Sequence, residues 1–218
     1  MSSNLSKREL LRQKRLEQKR RSTTTMLLVG LAAILLILAL IFLPNLLNQL
    51  SDHGFALGDP DAPVTVYEFS SYTCSHCYDF NENAAKDFIA RYVDTGKVYF
   101  NYVNLPANSE ASLLAAEASY CAADQDRFYE YKDQLFAYAF AENAYTEANM
   151  VNFASLAGLD VDAFQACLNS GKFATAYEED IRFATANGVT GTPTFLVNGQ
   201  DLVTTGALDE TIEKYLDN

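Results

Sequence analysis

Cys74 and Cys77 bracket the tetrapeptide Cys74-Ser75-His76-Cys77. Two thiols at this spacing can close a disulfide, open it onto another thiol and close it again. The reactive species in that exchange is the thiolate, so its rate follows whatever lowers a cysteine's pKa from about 8.5. If a helix begins at this point, unpaired backbone N–H groups and the helix dipole favour an anion on the first sulfur. His76 favours the same anion through its ring charge or its N–H, and Cys77, one turn further on, is placed to close the ring. Two other readings compete. A zinc site needs four ligands, but Cys121 and Cys167 lie far downstream and the remaining histidine is His53. A purely structural bridge fits poorly, because so small a ring at a helix start is strained and therefore reactive.

The elements around the tetrapeptide agree with that placement. Val64 to Phe69 (VTVYEF) is β-branched and aromatic and reads as a strand, started by the turn residues Asp59-Pro60-Asp61-Ala62-Pro63. Helical spacing of Phe80, Ala84, Phe88 and Tyr92 predicts one helix from about Ser75 to Tyr92, ending at Thr95-Gly96. A second strand covers Val98 to Val103, which makes a βαβ unit with a right-handed crossover. From about 109 to 187 only helical periodicity is found, with candidate helices at 110–123, 127–139, 146–156, 161–169 and 173–187. Strand returns at Thr194 to Val197, followed by the hairpin signal Asn198-Gly199, a strand over Asp201 to Thr205 and a last helix from about Leu208 to Leu216. The fold class is α/β with an all-helical insertion.

Upstream the chain changes character. Residues 1–25 carry eight basic residues against two acidic ones, and the remainder carries eight basic against 26 acidic. Between them Met26 to Leu43 (MLLVGLAAILLILALIFL) has no charged side chain and is long enough, with its flanking threonines, to cross about 30 Å of hydrocarbon as a helix. The expected organisation is a basic cytoplasmic tail (1–25), a single transmembrane anchor (26–43), a tether (44–58) and an extracytoplasmic domain (59–218), oriented by the positive-inside bias. A cleaved secretory signal is the competing reading; the apolar run is longer than a signal core and no A-x-A-like site follows it. A formal net charge of −12 argues against nucleic acid as a partner.

Cys121 and Cys167 both fall on predicted helices of the insertion. A bond between them would staple two helices in an oxidising compartment. Two buried free thiols, or a second exchange relay, are the alternatives.

Three features occurring in order, GDPDAPVTVYEFSSYTCSHC (58–77), the helical block and GVTGTPTFLVNG (188–199), give residues 58–218 a resemblance to a known family. The chain resembles the membrane-tethered members of the DsbA-like, thioredoxin-fold thiol:disulfide oxidoreductases of bacterial envelopes. The resemblance implies a thioredoxin-like fold, no cofactor beyond the cysteine pair, and no metal. It makes Cys74 the attacking and substrate-bonded cysteine and Cys77 the resolving one. Thr192-Pro193 matches the family's cis-proline loop, which lies beside the redox pair and pairs by main chain with extended substrate. A cis X-Pro bond aims the carbonyl before it, and proline makes that isomer accessible; the plain alternative is that Pro193 starts a strand. Glu68 stands where the family carries an acid beneath the redox pair, able to relay a proton to or from Cys77; the competing reading is a solvated or salt-bridged strand residue. Segments around Cys121 and Cys167 are similar to members with a second, structural disulfide. Ser75 replaces the proline of the family's best-known tetrapeptide, Cys-Pro-His-Cys, at a position that tunes redox potential, while His76 argues for the oxidising side. The implied partners are unfolded or extended exported proteins and a quinone-linked membrane thiol oxidase that restores the disulfide. A disulfide reductase or isomerase, and a tethered peptide-binding or chaperone module, are the alternative functions.

Overall fold

The computed structural model describes residues 54–217. The basic tail, the apolar span over 26–43 and the tether up to residue 53 lie outside the described residues. Among those described, no helix is long and apolar enough to cross a membrane.

A five-stranded sheet carries the site. In chain order its strands are β1 (Phe55–Leu57), β2 (Val64–Ser70), β3 (Val98–Asn104), β4 (Thr194–Val197) and β5 (Asp201–Val203). Their spatial order is β1-β3-β2-β4-β5. β2 and β3 run parallel, as the βαβ reading requires, and the other neighbours are antiparallel. β4 turns into β5 through Asn198 and Gly199, both at positive φ (47° and 66°), with the Gln200 N–H donating to the Val197 carbonyl at 3.0 Å. That is the turn the Asn-Gly pair favours.

β1 falls in the stretch read from sequence as tether. It pairs Phe55 with Tyr102 and Leu57 with Phe100. The Tyr129 hydroxyl donates to the Phe55 carbonyl at 2.7 Å, and the Phe55 ring stacks on Phe128. A Cβ at Gly54 would lie 2.2 Å from the Tyr102 carbonyl oxygen, so only glycine lets the chain enter the sheet edge there.

The helices are α1 (Ser75–Asn83), α2 (Ala85–Phe88), α3 (Glu110–Ala123), α4 (Phe128–Ala137), α5 (Glu147–Leu156), α6 (Val161–Ser170), α7 (Tyr177–Ala186) and α8 (Thr205–Leu216). The single helix expected from Ser75 to Tyr92 is broken: Ala84 leaves helical geometry at φ −125°, and Ile89–Val93 winds as a π-helical turn. Across the break Phe80 meets Phe195 and Phe88 meets Phe100, at ring-centroid distances of 4.9 and 5.4 Å. Both halves therefore face the sheet.

Side-chain alternation on β2 sorts the core. Val64 and Val66 pack with Phe80, Phe88, Phe195 and Ile212. Phe69 points the other way, to Leu196 and Ala184 of α7. The helical insertion encloses its own core around Tyr131, Leu135, Phe136, Met150 and Phe164, which joins the sheet through Tyr72 and Tyr102. Cys121 on α3 and Cys167 on α6 are disulfide-bonded, with Cα atoms 5.9 Å apart.

Candidate active site

Strand β2 ends at Ser70, and four residues later Cys74 occupies the N-cap of α1. In three other helices that position is filled by an oxygen acceptor: Ser109, Thr146 and Asp160 each accept a backbone N–H of their helix. Cys74 has extended backbone (φ −93°, ψ 125°) and makes no such bond. Its sulfur sits instead where the first turn's free N–H groups and the positive end of the helix dipole converge.

The Cys74 thiol lies below its ordinary pKa. Partial burial works against ionisation, but the Thr192 side chain, the backbone N–H groups of Cys77 and His76 and the Cys77 thiol together outweigh it. The protonated form donates to the Thr192 carbonyl at 3.3 Å. Cys77 is the opposite case. It is fully buried, and burial, with the Glu68 charge adding to it, pushes its thiol up to about 12 against the opposing bonds from Ser70, Ser71 and Thr192. Its sulfur accepts the Ser71 N–H in a long bond of 3.5 Å. The two neighbouring thiols are thus shifted in opposite directions, Cys74 down and Cys77 up.

Glu68 lies on the same face of β2 as Val64 and Val66 and is 1% exposed. Burial raises its carboxyl to about 7, against the pull of the Lys132 charge and of bonds from Ser70 and Asn81. It is neither solvated nor in a direct ion pair. The Thr192–Pro193 peptide is cis, and both residues precede β4, which begins at Thr194, with the Thr192 carbonyl against Cys74. His76 is exposed; its ring lines a cleft of about 430 Å³ together with Asp79, Phe80, Thr192, Pro193 and Gly206. Its backbone N–H is among the groups that lower the Cys74 pKa. A second hollow of about 310 Å³ is lined by Cys74 and Thr192 together with Thr73, Leu105, Val189 and Gly191.

Two side chains that the sequence patterns did not single out, Asn81 and Lys132, adjoin Glu68 and Cys77. Asn81 stands four residues after Cys77 on α1 and bonds to its carbonyl at 3.0 Å and to Glu68 at 3.4 Å. Lys132 is buried on α4 and donates to Asn81 Oδ1 at 2.5 Å. The signal for Lys132 was in the sequence: it interrupts the apolar stripe Phe128, Tyr131, Leu135, Phe136 at a core-facing position. Among the described residues no group of His, Cys, Asp and Glu side chains is arranged to hold a metal.

Residues 50–218 match the protein family described as Thioredoxin. Disulfide bond formation protein D of Bacillus subtilis is 31% identical over 172 residues, covering 73% of this chain and 76% of that protein. The structure resembles oxidised BdbD from Bacillus subtilis with a TM-score of 0.66 at 29% identity, over 75% of this chain and 92% of that one. It resembles α-DsbA1 of Wolbachia pipientis with a TM-score of 0.64 at 26% identity, over 78% and 96% of the two chains. A further match is to Na(+)/H(+) antiporter NhaA 3 of Salinispora tropica, 31% identical over 149 residues and 68% of this chain. The chain spans only 22% of that protein's length, so this likeness is to one segment of it.

Proposed function

Since this chain belongs to the thioredoxin-fold, DsbA-like thiol:disulfide oxidoreductases, we propose that it is an extracytoplasmic dithiol oxidase that passes the Cys74–Cys77 disulfide to exported proteins. A substrate thiolate attacks Cys74 Sγ, the more exposed sulfur. The Cys74–Cys77 bond breaks, and Cys77 leaves with the electron pair and takes up a proton, which its raised pKa makes favourable. A second substrate thiolate then attacks the substrate sulfur of the mixed disulfide, and Cys74 departs as the thiolate that its surroundings favour. Glu68, with a carboxyl near neutrality, supplies the proton to Cys77 and takes it back on reoxidation.

The observation that carries the direction is the position of the Cys74 sulfur at the N-terminus of α1 and against Thr192, surroundings that favour its anion. Whatever favours the thiolate favours the reduced enzyme, and an enzyme that prefers to be reduced gives its disulfide away. The cis-Pro loop and the two hollows beside it support extended polypeptide as substrate. A quinone-linked membrane thiol oxidase is the proposed reoxidant, and the proposed single-pass anchor over 26–43, with the catalytic domain outside, would hold the enzyme beside it. Equilibrating the protein against a glutathione series tests the reading. A Cys74–Cys77 potential less negative than about −200 mV is expected; one near the thioredoxin value of about −270 mV would make it a reductase. Cys77→Ala is expected to accumulate a mixed disulfide through Cys74, and Cys74→Ala to abolish exchange.

A further inference from the structure

A lysine in a protein core needs a reason, because burying an ammonium is costly unless it is compensated. The Lys132 side chain is 5% exposed. Its ammonium lies 3.1 Å from Asp133 Oδ1, but that carboxylate is 61% exposed and water screens it. The ring of Phe136 stands 5.5 Å away, and the rings of Tyr102 and Tyr129 stand 5.9 Å away. The short contact is the one to Asn81 Oδ1.

That contact fixes Asn81. An ammonium can only donate, so the amide must turn its oxygen to Lys132, and its two N–H bonds are then left for Glu68 Oε1 and the Cys77 carbonyl. One amide thus joins the charge on α4, the acid on β2 and the backbone of the buried cysteine on α1. The other titratable groups that bear on Glu68 are Cys77 on α1, Tyr72 beyond β2, Tyr102 on β3 and Tyr129 on α4. Burial keeps all four neutral, so Lys132 supplies the charge that Glu68 meets.

We propose that Lys132, delivered by the helical insertion, is the positioning residue for proton transfer at Cys77, holding Glu68 through Asn81 so that the acid can give up a proton and take it back. The inference rests on the reading of Glu68 as the proton carrier. When a substrate thiolate bonds to Cys74, the Cys74–Cys77 bond breaks and its electron pair goes to Cys77, which takes the Glu68 proton. The carboxylate left behind faces the ammonium and the Asn81 N–H and stays ionised while Cys77 holds the proton. On reoxidation the Cys77 proton returns to Glu68. Lys132 transfers no proton. The helical insertion therefore contributes to the chemistry as well as covering it.

The test follows Glu68 directly in the full-length chain. A pH titration of ¹³C-labelled glutamate carboxyl resonances identifies Glu68 by the signal that Glu68→Gln removes. In Lys132→Met its midpoint is expected to rise by a unit or more, a tenfold change in proton affinity, and in Lys132→Arg to stay near the wild-type value. Should Lys132→Met fail to fold, Lys132→Gln, neutral and still a donor to Asn81, carries the same expectation. A folded neutral variant whose Glu68 midpoint matches the wild type overturns the proposal. Single-turnover oxidation of a dithiol peptide separates the two layers. Glu68→Gln is expected to slow it about tenfold or more, with no further loss on adding Lys132→Met. An unslowed Glu68→Gln removes the proton-carrier reading itself, and the proposal with it, whatever the titration shows.

Discussion

The Cys74 sulfur and the Thr192 carbonyl oxygen, 118 residues apart in the chain, lie 3.3 Å from each other. The contact brings the start of α1 against the loop that leads into β4. It puts together the atom proposed to exchange and the backbone proposed to pair with an extended substrate. The carbonyl favours the protonated sulfur, whereas the Thr192 side chain favours the anion. One residue therefore bears on both states of the thiol.

Thr192→Val removes the side-chain donor and leaves the carbonyl. The Cys74 pKa is expected to rise, and alkylation by iodoacetamide at neutral pH to slow in proportion to the lost thiolate. A rate–pH profile superimposable on the wild type would exclude Thr192 as a determinant.

The two redox forms should differ in stability. A thiol with a depressed native pKa stabilises the reduced fold above its ordinary pKa, and that contribution is lost as pH falls through the depressed value. Urea unfolding at pH 7 is expected to find the dithiol form more stable than the disulfide form, with the gap closing on acidification. A disulfide form that is the more stable at pH 7 would point to a reductase.

Buried carboxyls give the opposite slope. Glu68 is raised from 4.5 to about 7 and Asp180 from 3.8 to about 6, burial being the leading cause in each. Such groups fold most readily when neutral, so stability is fullest below about pH 4 and declines as pH rises through about 6 to 7. For Glu68 the span is of order 3 kcal/mol. Glu68→Gln is expected to flatten that decline in denaturant unfolding across pH 4–8. An unchanged slope would mean that Glu68 titrates as an ordinary carboxylate.

Much of this site is legible in the residues. Counting in twos along β2 puts Glu68 on the face of Val64 and Val66, which already implies a buried acid. The step from a β-branched run to helical spacing across Cys74 places that sulfur at a helix start. Lys132 in the stripe of α4 and Asn81 one turn past Cys77 could have been found by the same counting. Their meeting could not, because no local pattern says which face of the insertion lies against α1. β1 was hidden for a different reason. Three residues carry too little periodicity, and what orders them is Tyr102 and Tyr129 far downstream. The break at Ala84 is likewise tertiary: no Pro or Gly marks it, and its effect is to turn both Phe80 and Phe88 toward the sheet.

The Cys121–Cys167 bond closes a loop of 46 residues, for which the chain-entropy relation gives roughly 4 kcal/mol as an upper guide. Replacing both cysteines with alanine is expected to lower unfolding stability by about 2–4 kcal/mol while exchange through Cys74 continues. Loss of exchange in a folded double variant would instead assign the second pair a redox role.

The account stands on an ionised sulfur at position 74. Thiolate absorbance of the reduced chain, with the signal of Cys74→Ala subtracted, reports that ionisation alone. A midpoint clearly below the ordinary cysteine value is predicted; one at about 8.5 or higher would contradict the oxidase reading.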